Sequence, residues 1–156
     1  MSTIRRYDYE IPLSDAAKKY LAGLIGDDLS PLLVSWTDPM SEDDSSRIVI
    51  LSNRGNTMVE SPGNSFLQLD VIVRTFWKQP SMNDDFTEHR RRQNIVFDKM
   101  MSPTLADDLM ANIEAGIKID FVQPRRDFET EIFGKDGGFI ESKITTGVHC
   151  FSTEAA

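Results

Sequence analysis

The sequence predicts an α+β domain with a mostly antiparallel sheet and helices packed on one side of it. Three patterns carry that prediction. Apolar residues recur at helical spacing in three segments, two-residue alternation fills two longer blocks, and turn-forming residues join the strand-like runs inside each block. The 156 residues form one domain of ordinary size, with 40% hydrophobic residues for a core and no internal repeat or dividing linker. Residues 1–12 and 152–156 are expected to be flexible or to act as interface arms.

The first helix is expected over residues 14–25, with Ser14 as N-cap and Asp15 at the positive end of the helix dipole. Ala17, Tyr20, Leu21, Leu24 and Ile25 make its apolar stripe, and Gly26 ends it. A short strand follows at 32–37. Residues 38–46, with Pro39 and the acidic Glu42, Asp43 and Asp44, read as an exposed loop. A second strand spans 47–52, and turn residues at 53–56 and 61–64 bracket a short run.

Residues 65–77 carry the strongest strand pattern. Leu67, Leu69, Val71, Val73, Thr75 and Trp77 share one apolar face, while Phe66, Gln68, Asp70, Ile72, Arg74 and Phe76 make a mixed one. The run is longer than the usual strand of about five or six residues, so it is expected to bend or to project beyond the main sheet.

A second helix is expected from Asp84 or Asp85 to Met101, with Phe86, His89, Gln93, Val96, Phe97 and Met100 on one face and Ser102-Pro103 as its break. Leu105, Leu109 and Ile113, spaced by four, mark a third helix closed by Gly116. Ile117, Ile119 and Phe121 then alternate, Gln123-Pro124 interrupts, and residues 128–133 form a strand. Lys135-Asp136-Gly137-Gly138 is a hairpin turn into a last strand at 139–151, where Ile140, Ile144, Val148 and Cys150 share a face.

The bulk properties narrow the function. A net charge of −8 disfavours a broad grip on nucleic acid. The single cysteine, Cys150, has no internal disulfide partner, which fits a reducing compartment. No apolar run follows Arg5-Arg6, and no stretch approaches the ~18 apolar residues of a membrane span, so neither a signal peptide nor a transmembrane helix is expected. The chain is therefore expected in the cytoplasm where it is made.

No catalytic constellation is legible. His149 and Cys150 are neighbours on an expected strand and point to opposite faces. Asp85 and His89 share a helical face, but two ligands do not make a metal site, so capping carboxylates and a half-buried histidine are preferred. Arg90-Arg91-Arg92 fan across about 200° of a helix. With Arg125-Arg126 they read as solvated charge, pairing with the acidic 42–44 loop of another subunit being the sharper alternative. Asp127, Glu129 and Glu131 alternate as an exposed acidic face, and no phosphate loop or dinucleotide fingerprint occurs. No catalytic, cofactor-binding or metal-binding residue is assigned, and the chain is expected not to be an enzyme.

The order of elements is familiar: an N-terminal helix, early strands, and Gly63-Asn64 turning into the long strand that begins Ser65-Phe66-Leu67-Gln68-Leu69-Asp70. A polar helix beginning Asp84-Asp85-Phe86-Thr87-Glu88-His89-Arg90, a leucine-spaced short helix and a final pair of strands complete it. Over about residues 14–151 this pattern resembles the tail terminator and tail-completion (neck) proteins of long-tailed bacteriophages. The resemblance implies an α/β fold, soluble as made, that assembles as a hexameric ring on the tail tube, stops tube polymerisation and offers a surface to the head or neck. It implies no catalytic residues and no cofactor. The implied partners are other copies of the chain, the tail tube protein and a head-completion or neck protein, with DNA passing through the lumen without specific binding and no membrane. The implied location is the host cytoplasm during assembly and then the virion. The acidic balance suits a channel that DNA traverses without sticking. Candidate contact residues for subunit or tube are Glu42, Asp43, Asp44, Arg74, Trp77, Arg90, Arg91, Arg92, Arg125 and Arg126. Met82 and Trp77 are candidate apolar anchors, with core packing the safer reading for Trp77. Two other classes stay open: another neck, tube or baseplate component, and a small monomeric enzyme or inhibitor of host proteins.

Overall fold

The alternation of residues 65–77 becomes the spine of the sheet. A computed structural model describes residues 9–22, 32–34, 47–54, 64–125 and 129–153. In chain order the elements are α1 (Glu10–Ala22), β1 (Leu32–Val34), β2 (Arg47–Arg54), β3 (Asn64–Lys78) and a single 3-10 turn (Gln79–Ser81). They continue with α2 (Met82–Met100), α3 (Leu105–Asn112), β4 (Ile117–Pro124), β5 (Glu129–Phe133) and β6 (Gly137–Ser152). The architecture is α+β. The sheet order is β1-β2-β3-β6-β4, with β5 also paired to β6. β1 lies parallel to β2, and every other pairing is antiparallel.

The β3–β6 ladder runs unbroken from Asn64 opposite Phe151 to Lys78 opposite Gly137. The extra length expected of the central strand is therefore used in pairing. Leu67, Leu69, Val71, Val73, Thr75 and Trp77 are all buried on one face, as their two-residue period requires. Against that face pack Leu13, Ala17 and Leu21 of α1, Val96 and Met100 of α2, and Leu105 and Leu109 of α3. Ile48, Ile50, Ile144, Val148 and Cys150 complete the core.

Three local expectations are corrected. Helix α1 begins at Glu10, not at Ser14, so residues 10–12 belong to the helix and not to an N-terminal arm. Pro12 sits in the first turn, where its missing N–H costs nothing, and the Tyr9 carbonyl accepts from Leu13 N at 2.9 Å. Ser14 is buried inside the helix, its hydroxyl 2.6 Å from the Ser52 hydroxyl of β2. Next, the expected break between two strands is present, but it falls after Gln123 and Pro124, which are the last residues of β4, where an edge position tolerates the proline. Finally, Phe121 does not continue the face of Ile117 and Ile119. The register slips between Ile119 and Phe121, which leaves Asp120 as an extra residue and turns Phe121 to the open face.

β4 and β5 lie end to end along the same side of β6. Pro124 opposes Thr146 and Glu129 opposes Lys143, and just past the end of β4 Arg125 N donates to the Thr145 carbonyl at 3.0 Å. The whole is one long hairpin that turns at residues 134–136. Gly134 has φ 101°, and a Cβ there would lie 2.0 Å from the Gly137 carbonyl oxygen, so only glycine fits. The expected terminator Gly26, the 38–46 loop, and the turn residues 55–56 and 61–63 lie outside the described residues.

Candidate functional site

Every side chain of β5 is exposed, because this strand pairs with β6 on one edge and, among the described residues, with nothing on the other. Two large apolar groups stand in solvent there, Ile132 at 54% and Phe133 at 45% exposure. Thr130 faces the helix side, where its hydroxyl is 2.9 Å from that of Ser142. Glu129, Glu131 and Phe133 face the other way and, with Ile72, Glu141 and Lys143, line a shallow hollow on the open face of the sheet.

That open face is polar at its middle and aromatic at its ends. Arg74 is buried there, its guanidinium paired with the Glu141 carboxylate and 5.3 Å from the Phe139 ring centroid. Asp70, also buried, accepts from the Thr145 hydroxyl at 2.8 Å. At the far end Phe121 stacks on His149 with centroids 5.1 Å apart, and Phe66 lies 6.0 Å from Phe121. The bulge that exposes Phe121 also brings Asp120 Oδ1 within 2.5 Å of His149 Nδ1. Cys150 points the opposite way, into the core, where burial pushes its thiol up to about 12. The expected opposition of His149 and Cys150 is what the strand delivers.

The other histidine closes a buried polar network. His89 Nδ1 is 2.8 Å from the Thr75 hydroxyl and Nε2 is 2.8 Å from the Ser142 hydroxyl. Ser142 donates to Gln93 Oε1 at 2.6 Å. With its own proton spent on Gln93, Ser142 accepts from His89 Nε2–H and from Thr130, while His89 Nδ1 accepts from Thr75. A serine beside a histidine suggests a nucleophile and its base, but here the histidine holds the proton and donates it toward the serine. Ser142 is 0% exposed, so no substrate reaches it. Burial, assisted by the nearby Arg92 charge, lowers His89 to about 4, so the ring is neutral at pH 7. The network ties α2 to β3, β5 and β6.

Asp85 does not share a site with His89. It accepts from Lys78 N at 3.0 Å and from the Ser81 hydroxyl at 2.7 Å, clasping the turn that leads into α2. Among the described residues no group of three or more His, Cys, Asp or Glu is placed to hold a metal, and no helix is long and apolar enough to cross a membrane.

The sequence-derived contact candidates scatter. Trp77 is 3% exposed, edge-on to Phe86 and donating to the Phe133 carbonyl at 3.2 Å, so it packs within the domain and presents no anchor to a partner. Arg74 is buried in its ion pair. Arg90 and Arg91 are exposed on α2 and Arg92 is half-buried; Arg91 lies 2.5 Å and Arg92 3.3 Å from the Glu88 carboxylate, which the Arg91 hydrogen bond holds below the usual range. Arg125 is exposed just past the end of β4. Glu42, Asp43, Asp44, Arg126 and Asp127 lie outside the described residues.

Sequence reasoning read Glu129 and Glu131 as an exposed face but missed Ile132 and Phe133. Their alternation resembles that of any half-buried strand, and only the edge position of β5 exposes them. It also missed Thr75 and Ser142 as partners of His89, and Gln93 as the acceptor for Ser142, since no local signal links residues on three elements. No protein-family model matches the chain, and no curated protein matches it significantly.

Proposed function

We propose that this chain is a structural assembly subunit that caps the end of a phage tail tube as a ring, ending tube polymerisation and joining tail to head or neck. The observation that carries this reading is the outer strand β5, exposed at all five positions and bearing Ile132 and Phe133 in solvent. A free strand edge with large apolar groups is an element that meets another chain. Behind it, β6 pairs with β3 from Gly137 to Phe151. Repeated head to tail with rotation, one such contact closes a ring. The order of elements, with its resemblance to tail-completion proteins, supplies the tube end as the place where the ring works.

The test is native mass at micromolar concentration together with electron microscopy of the protein alone and with its cognate tube subunit. The expected result is a closed ring seated on tube ends, with elongation halted. A particle that stays single in both conditions, beside tubes that elongate unchanged, would overturn the proposal.

A further inference from the structure

Glu131 stands directly opposite Glu141 across the β5–β6 pair. Like charges in that position repel. Arg74 neutralises Glu141 from the other side, and Lys143 lies 3.7 Å from Glu129, but among the described residues no cation pairs with Glu131. Beside it, on the opposite face of the strand, Ile132 is 54% exposed. The outer edge of β5, unpaired among the described residues, thus asks for a strand that carries a cation and, next to it, an apolar residue. The acidic pair Glu129 and Glu131 discourages any strand lacking the cation.

The chain contains such a segment: Thr3-Ile4-Arg5-Arg6-Tyr7, as long as β5 and rich in strand-favouring residues. We infer that residues 3–7 of a neighbouring copy pair antiparallel with β5, setting Arg5 against Glu131 and Ile4 against Ile132. In the same register Arg6 meets Thr130, Thr3 meets Phe133 and Tyr7 meets Glu129. The parallel alternative with Arg5 at Glu131 sets Arg6 against Ile132 and Ile4 against Thr130, mismatching both. This inference rests on the ring-subunit reading and specifies how one subunit holds the next.

The segment cannot serve its own β5. The Glu10 carbonyl accepts from Ser52 of β2 at 2.5 Å, so the chain enters α1 above β2. β5 lies beyond β3 and β6, three strand spacings away, or about 14 Å across the sheet. Glu129 is moreover in line with Lys143, Ile72 and Val49, three residues along β2 from Ser52, which adds about 10 Å. Tyr7, paired opposite Glu129 one further spacing out, would have to reach Glu10 across about 22 Å, and three residues span at most about 11 Å. Pairing is therefore between copies.

Two experiments on the full chain test the inference. Ile4→Cys with Ile132→Cys, oxidised and run without reductant, should give a reducible ladder ending at the ring size; the native Cys150 is buried and does not compete. Arg5→Glu or Glu131→Arg alone should weaken self-association at least tenfold, and the two together should restore it, with the circular dichroism unchanged. An intramolecular disulfide, or rings that form without cross-linking and ignore both charge changes, would overturn the arm pairing while leaving the ring reading intact. A chain that is single throughout would sink both.

Discussion

Phe66 lies over Gly147: a Cβ built on that glycine would stand 2.6 Å from the Phe66 ring. The two residues are diagonal neighbours across the β3–β6 ladder, Phe66 opposing His149 and Gly147 opposing Gln68. The ring covers the gap in the sheet surface that the missing side chain leaves. Gly147→Val should displace the ring and cost about 1–3 kcal/mol despite the strand preference of valine. In a Phe66→Ala background the same substitution should be neutral or stabilising. A double-mutant cycle in urea reads the coupling; additive costs would contradict the contact.

His89 makes stability depend on pH. Its folded value of about 4 lies below the ordinary 6.5, so the unfolded chain binds the extra proton in the interval between them. Stability is therefore unaffected by this group above pH 6.5, falls as pH drops from 6.5 towards 4, and levels off below. The full fall is about 3 kcal/mol. Denaturant midpoints measured between pH 5 and 7 should decline with acid, and His89→Gln should flatten that slope. An NMR titration showing His89 protonated at pH 6 would contradict the buried network.

Arg74 and Glu141 form a pair that is costly to break from one side. Arg74→Ala leaves Glu141, only 17% exposed, facing Glu131 without its ion-pair partner, and should cost about 3 kcal/mol. Arg74→Met with Glu141→Leu should cost less than Arg74→Ala alone. Chemical denaturation of the three proteins decides the order.

Glu131→Thr removes the repulsion with Glu141 and should raise stability by about 0.5 kcal/mol. The same change should weaken self-association, because it deletes the acidic group that Arg5 is inferred to meet. Opposite movements of the denaturation midpoint and the association constant separate folding from assembly at one residue.

Cys150, with its thiol at about 12 and no exposed surface, should resist alkylation in the folded protein and react only on unfolding. Rapid labelling under native conditions would contradict its place in the core.

Much of this molecule is legible from side-chain period, because period is a property of adjacent residues. The buried face of β3, the opposed directions of His149 and Cys150, the leucine spacing of α3 and the glycine-rich hairpin turn all follow from neighbours in sequence. What a face meets is settled by residues far away in the chain. Ser14 has the chemistry of an N-cap, yet Ser52, 38 residues on, takes its hydroxyl into the core. Asp120 becomes an extra residue only because β6 keeps its register past it, and that slip decides that Phe121 joins His149 on the open face. The alternation of β5 is ordinary, but lying outermost beside β6 leaves its apolar residues uncovered. Periodicity assigns a direction to each side chain, while burial depends on which segment comes to lie beside it, and that is a question of long-range packing.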